Sequence, residues 1–210
     1  HFADHDILTP GDAPNVLVAM NPAALKTNVA DLPRGGTLIV DADAFTERNL
    51  SKAGYAQNPL EDGSLDEYQV HGVPLTSLTV GALKEVEGVT PREAERSKNM
   101  FALGLMSWLY GRSIKPTIEF LEEKFGAKRP EIAAANIKAL RAGYAFGETT
   151  ESFAVTYEVK PAQLKPGTYR NITGNQALSL GLVAASRLSG LPLFLGAYPI
   201  TPASAILEEL

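Results

Sequence analysis

The chain has 210 residues, 45% hydrophobic and 20% charged, which is enough apolar material for one full domain and part of another. Its net charge of −5, with Lys and Arg scattered, leaves no electrostatic footprint for a phosphate backbone, so nucleic acid is set aside. There is no cysteine, which excludes disulfides, a thiolate nucleophile and thiolate ligation of an iron–sulfur cluster by this chain.

No apolar run reaches the roughly 20 residues that span a bilayer, and no segment has the features of a signal peptide. A cytoplasmic protein is the expectation. The chain begins at His1 instead of Met, so further sequence upstream is expected. His1 and His5 flank Asp4 at a spacing that could place two imidazoles on one helical face, but "ILTPGD" promises no helix there and a frayed terminus is the simpler reading.

The segment "NVLVAMNPAALKTNVADLPRGGTLIVDADAF" reads as strand, helix, turn, strand. Val16 to Met20 form a near-continuous apolar run, expected of a strand buried on both faces, and Pro22 suits the first turn of a helix. Gly35-Gly36 end that unit and Thr37 to Asp41 form the next strand. This βαβ rhythm predicts a parallel sheet. A polar connection, "QNPLEDGSLDE", leads into a third strand, Tyr68 to Leu75, in which His71 is isolated and reads as a core or edge histidine.

Beyond Thr90 the pattern turns helical. Thr90 is a good N-cap, Pro91 occupies the first helical position and Glu93 completes a capping box. The same helix continues into "NMFALGLMSWLYG", apolar on nearly every side and therefore buried. Lys98 and Asn99 lie at its polar start and are candidate cofactor-binding residues; a solvated lysine is the alternative. Gly104 would let another backbone or a ligand approach closely. Two more helices follow, about 116–125 and 130–146.

From Glu148 to Arg170 the periodicity disappears, and the segment reads as an extended linker. "GNQALSLGLVAASRLSG" is a helix punctuated by Gly174, Gly181 and Gly190; "PLFLGA" reads as a strand, and "PASAILEEL" as the start of a further helix. Between the last two lies Tyr198-Pro199-Ile200-Thr201-Pro202. Two prolines around one hydroxyl stiffen this elbow. With Thr201 as N-cap and Pro202 at the first helical position, the free amides would offer a berth for a carboxylate or phosphate. Plain helix capping is the alternative. One strand cannot make a sheet, and the last helix has no Gly or Asn cap, so a truncated second domain is expected.

The stretch "GNQALSLGLVAASRLSGLPLFLGAYPITPAS" resembles the α subunit of 2-oxoacid:ferredoxin oxidoreductases, specifically the bacterial two-subunit 2-oxoglutarate type. The likeness extends through "HFADHDILTPGDAPNVLVAMNPAALK", "LPRGGTLIVD", "ERSKNMFALGLMSW" and "FGETTESFAVTYEV", essentially the whole chain. It implies an α/β protein: a Rossmann-like γ domain with a parallel sheet and C-terminal helices over 1–147, a linker over 148–170, and the beginning of a thiamine diphosphate-binding (pyrimidine) domain over 171–210.

By the same resemblance Thr201 recognises the 2-oxoacid, with Tyr198, Pro199 and Pro202 shaping the turn, and the γ domain handles coenzyme A. Thiamine diphosphate serves the intact complex; Mg²⁺ and a [4Fe-4S] cluster belong to its β subunit, and ferredoxin accepts the electrons. The family's activating carboxylate and substrate arginine would lie beyond Leu210, so the chain alone is expected to be inactive. Gln176 stands where relatives often carry Glu. The rival expectation is a non-catalytic Rossmann-like module for subunit assembly or coenzyme A binding, and a free-standing nucleotide-binding domain is a third.

Overall fold

The computed structural model describes residues 1–7, 11, 13–150, 153, 155–198 and 200–210. They form two compact units, His1–Gln163 and Leu164–Leu210.

In the first unit, β1 (Val16–Ala19), β2 (Thr37–Asp41) and β3 (Gln69–Val73) make a parallel sheet in the order β1-β2-β3. Val18 pairs with Ile39 and Ile39 with His71. The strand buried on both faces is β2, every residue of which is buried, while β1 is mostly half-buried and β3 largely exposed. This corrects the expectation for Val16 to Met20. The reason is sheet position: the middle strand is shielded by neighbours on both sides. Side chains alternate across β2. Leu38 and Val40 face a core with Leu25 of α1 (Pro22–Asn28) and Leu50 of α2 (Glu47–Lys52), whereas Ile39 faces Phe101 and Leu105 of α5 (Lys98–Leu109).

Between β3 and α5 lie α3 (Leu75–Leu83) and α4 (Pro91–Arg96). The capping box on α4 is formed, with Thr90 Oγ1 accepting from Glu93 N at 3.3 Å and Glu93 Oε2 accepting from Thr90 N at 3.1 Å. The single helix expected beyond Thr90 is instead two. Ser97, buried at the joint with ψ −6°, donates its hydroxyl back to the Glu93 carbonyl at 3.1 Å, and the chain turns there. The third strand is likewise shorter than expected, because Pro74 ends it and α3 begins at Leu75.

Two further helices complete this unit, α6 (Lys115–Phe125) and α7 (Pro130–Thr149). Helices α5 and α7 touch through backbone. A methyl group on Gly104 would strike the Leu140 carbonyl oxygen, and one on Gly143 would strike that of Phe101. The close approach at Gly104 is thus filled by a helix. The described part of segment 148–163 has no helix or strand after Thr149; Phe153 stacks on His71 at 4.5 Å and Tyr157 on Tyr110 at 4.8 Å.

The second unit holds α8 (Gly174–Ser189) and α9 (Ser204–Glu209). Thr173 and Gln176 form a capping box at the start of α8, and Gly190, at φ 70°, closes it in the left-handed conformation that glycine tolerates. The expected strand over "PLFLGA" does not form. A strand needs a partner ladder, and none of the described residues of this unit supplies one.

Candidate functional site

In parallel α/β sheets ligands bind outside the carboxyl ends of the strands. Here those ends deliver Met20-Asn21 after β1, Asp41 and Asp43 at and after β2, and Thr76 after β3. Met20, Asn21, Asp43 and Thr76 line a cleft of about 370 Å³ whose far wall is the start of α5, Lys98 and Asn99. A second cleft of about 590 Å³ adjoins it through Lys98 and Asn99 and is lined by Arg92, Glu95 and Arg96 of α4.

Beneath the cleft lies a closed polar triad. Asp41 is fully buried. Its Oδ2 atom accepts from Thr76 Oγ1 at 2.7 Å and from Lys98 Nζ at 3.0 Å, and its Oδ1 atom accepts from Thr76 N at 3.3 Å. Lys98 Nζ also donates to Thr76 Oγ1 at 3.1 Å. A buried carboxylate needs such partners, because desolvating an unpaired charge costs several kcal/mol in practice. Ammonium carries three donors. Among the described residues two are taken, so Lys98 retains one N–H at the cleft. Lys98 is therefore not the solvated lysine considered above: its side chain is 21% exposed and ion-paired. Asp43 Oδ2 accepts from Ser77 N at 2.7 Å, which holds the start of α3 against this rim.

A larger cavity, about 640 Å³, opens at the amino end of β1 beside Asn15, Tyr110 and Tyr157. It lies at the end of the sheet where parallel strands do not present their ligand chemistry. Among the described residues no group of three His, Cys, Asp or Glu side chains could hold a metal ion. His5 Nδ1 lies 3.1 Å from Asp4 Oδ1 outside any helix, so the two-histidine face of a helix is not formed.

In the second unit Tyr198 and Thr201 are exposed, and Pro199 lies outside the described residues. Thr201 does not cap a helix. Helix α9 starts three residues later, at Ser204, with Ala203 as its uncapped N-cap. The amides of Ser204 and Ala205 already donate to the carbonyls of Ile200 and Pro202 at 3.2 and 3.3 Å. The helix-start berth expected at Thr201 is corrected accordingly: a tight turn satisfies those amides by backbone. The elbow is tied down from the other side. Asn175, second residue of α8, donates its Nδ2 to the Pro202 carbonyl at 2.9 Å, and Gln176 Nε2 donates to Glu209 Oε1 at 2.8 Å. Gln176 thus has a local task, accepting from Thr173 N at 3.0 Å while reaching α9.

The structure brings Lys98 and Asn99 into one cleft and Thr201 and Pro202 into one turn of the second unit, while Tyr198 lies outside that turn. Asp41, Thr76, Arg92 and Arg96 are the cleft residues that sequence reasoning passed over. Two signals point to them: an acid closing an apolar strand, and two arginines four apart.

The profile of the pyruvate ferredoxin/flavodoxin oxidoreductase family matches residues 1–146. The chain is 59% identical over 209 residues to the 2-oxoglutarate oxidoreductase subunit KorA of Mycobacterium tuberculosis, covering 100% of this chain and 32% of that protein. It is 33% identical over 104 residues to the 2-oxoglutarate synthase subunit KorC of Methanothermobacter thermautotrophicus, covering 46% of this chain and 54% of that protein. Its fold is similar to the 2-oxoglutarate:ferredoxin oxidoreductase of Magnetococcus marinus with 2-oxoglutarate, coenzyme A and succinyl-CoA bound, at a TM-score of 0.67 and 28% identity, covering 98% of this chain and 31% of that one. The chain spans about a third of the length of KorA and of the solved enzyme.

Proposed function

Because this chain belongs to the pyruvate ferredoxin/flavodoxin oxidoreductase family, we propose that it is part of the α subunit of a 2-oxoglutarate:ferredoxin oxidoreductase. The intact enzyme decarboxylates 2-oxoglutarate oxidatively, transfers the acyl group to coenzyme A to give succinyl-CoA and CO2, and reduces ferredoxin. The observation that carries this reading is the 59% identity to KorA over the whole chain. Residues 1–147 are the Rossmann-like γ domain, 148–170 the linker and 171–210 the start of the pyrimidine-binding domain.

In this reading Thr201 offers its hydroxyl to the 2-oxoacid, and the Asn175 amide, bonded to the Pro202 carbonyl, holds the turn that carries it. Among the described residues that hydroxyl makes no hydrogen bond, which leaves it available to a substrate. Tyr198 and Pro202 shape the approach. Orienting the acid against the cofactor is the protein's share of the work. Thiamine diphosphate, when bound to the complex, supplies the electron sink for decarboxylation. The [4Fe-4S] cluster does not fit this chain's donors, since the chain has no cysteine, and Mg²⁺ goes with the cluster in this reading. They are assigned to the β subunit. Lys98 and Asn99 contact coenzyme A at the carboxyl-end cleft, and the complex works in the cytoplasm.

Thr201→Ala in the assembled enzyme tests the site. A raised KM for 2-oxoglutarate or a lowered kcat supports the role, and unchanged kinetics contradicts it.

A further inference from the structure

The second unit is held together by polar contacts. Among its described residues Ser179 alone is buried, whereas Leu180, Leu188, Phe194 and Leu207 are exposed. Three side chains of α8 tie down the elbow and α9. Asn175 Nδ2 donates to the Pro202 carbonyl at 2.9 Å, Gln176 Nε2 to Glu209 Oε1 at 2.8 Å, and Ser179 Oγ to the Ile206 carbonyl at 3.4 Å. Asn175 and Ser179 are four residues apart, and Gln176 is three from Ser179, so the three share one face of α8. The Pro202 carbonyl also accepts from Ala205 N at 3.3 Å, so both of its lone pairs are taken. Its place is thereby fixed from two directions, and Thr201 is the residue that precedes it.

From this geometry we infer that Asn175, Gln176 and Ser179 are positioning residues for the 2-oxoacid, and that this polar face of α8, in place of a helix cap at Thr201, sets where the Thr201 hydroxyl stands. Asn175 carries the largest effect, because its amide bonds the residue next to Thr201, while Gln176 and Ser179 hold α9 farther along. A reacting group misplaced by about 1 Å loses much of the rate that orientation provides. With so few buried contacts in this unit, no apolar core compensates for a lost tie. The inference rests on the reading of Thr201 as the 2-oxoacid contact and deepens it: affinity for the acid is governed from a helix whose Asn175 lies 27 residues before Pro202.

The test is steady-state kinetics of the assembled enzyme with 2-oxoglutarate and with coenzyme A varied in turn. Losing one hydrogen bond of this kind is expected to lower kcat/KM for 2-oxoglutarate about three- to tenfold in Asn175→Ala. The KM for coenzyme A stays the same, which a general loss of structure would not allow. Asn175→Asp removes the donor while adding an acid to the first turn of α8, where acids favour the helix, so its loss of kcat/KM comes without a weaker helix. Asn175→Gln keeps the amide and retains part of the activity. Gln176→Ala and Ser179→Ala give smaller losses in the same direction. In a Thr201→Ala background Asn175→Ala causes little further loss, because it acts through that hydroxyl. Unchanged kinetics in Asn175→Ala, a loss confined to the charged Asn175→Asp variant, or fully additive losses at Asn175 and Thr201 overturns the inference. An enzyme without 2-oxoglutarate activity would remove the proposed function and the inference together; an active enzyme impaired by Thr201→Ala and indifferent to Asn175→Ala would remove the inference alone.

Discussion

The ammonium of Lys98 stands 3.0 Å from the Oδ2 atom of Asp41, and these two residues join the first turn of α5 to the end of the central strand. Removing one partner leaves the other as an uncompensated charge at a largely buried site. Asp41→Ala is expected to cost about 3–5 kcal/mol, the usual penalty for breaking a buried pair. Asp41→Asn, which keeps one acceptor oxygen for Thr76 while putting an amide donor in place of the other, costs less. Denaturant midpoints of the two variants order them, and equal midpoints would show the pair to be solvated.

Gly104→Ala and Gly143→Ala place a methyl group on the carbonyl oxygens of Leu140 and Phe101. The obstacle is backbone in both cases, so neither neighbour can swing aside. Helices α5 and α7 must separate, and overpacking of this kind costs about 1–3 kcal/mol. Each variant should melt several degrees lower. Gly181→Ala, where an added methyl meets no atom within 4 Å, serves as the control and should hold or raise stability.

Acid should weaken the junction of α4 with α7. The Thr90 backbone and hydroxyl hydrogen bonds hold the Glu93 carboxyl below its ordinary range, and Arg129, 2.7 Å from Glu93 Oε1, adds to this. A folded-state pKa below the unfolded one gives stability that is present above the unfolded value, near 4.3 for glutamate, and is lost as pH falls through the folded value. Glu93→Gln should therefore flatten the acid limb of the stability profile below about pH 4.5 relative to the wild type. Urea midpoints from neutral pH downward read the slope, and parallel profiles would remove Glu93 from the account.

Thr173 caps α8 by accepting from Gln176 N at 3.2 Å. Thr173→Ala should lower stability by about 1 kcal/mol, the typical value of an N-cap. Gln176→Glu keeps the acceptor toward Thr173 N but replaces the Nε2 donor to Glu209 with a second carboxylate. It should loosen α9 while sparing α8, a separation that amide exchange of the two helices resolves.

The first βαβ unit is readable in the sequence because its signals are local. Thr37–Asp41 is a continuous apolar run closed by an acid, and Pro22 and Thr90 mark helix starts by chemistry that acts within one turn. The short helices α2 and α3 escape that reading, the latter because Leu75 continues the apolar run of β3 past Pro74. The break at Ser97 is equally silent, since a serine donating to the carbonyl four residues back looks like any serine in a helix. Lys98 shows the limit most clearly. Its partners Asp41 and Thr76 lie 57 and 22 residues away, so a lysine at a helix start reads as solvated until the fold closes over it. At Thr201 the composition points to a cap, and the backbone turn at 201–203 takes that role from the side chain.

The central claim, 2-oxoglutarate:ferredoxin oxidoreductase activity, is tested most directly by coenzyme A-dependent reduction of ferredoxin in the intact enzyme that contains this chain, with 2-oxoglutarate and pyruvate compared side by side. The account predicts reduction with 2-oxoglutarate, dependent on coenzyme A and matched by succinyl-CoA formed. No reduction with 2-oxoglutarate, or reduction with pyruvate alone, would contradict it.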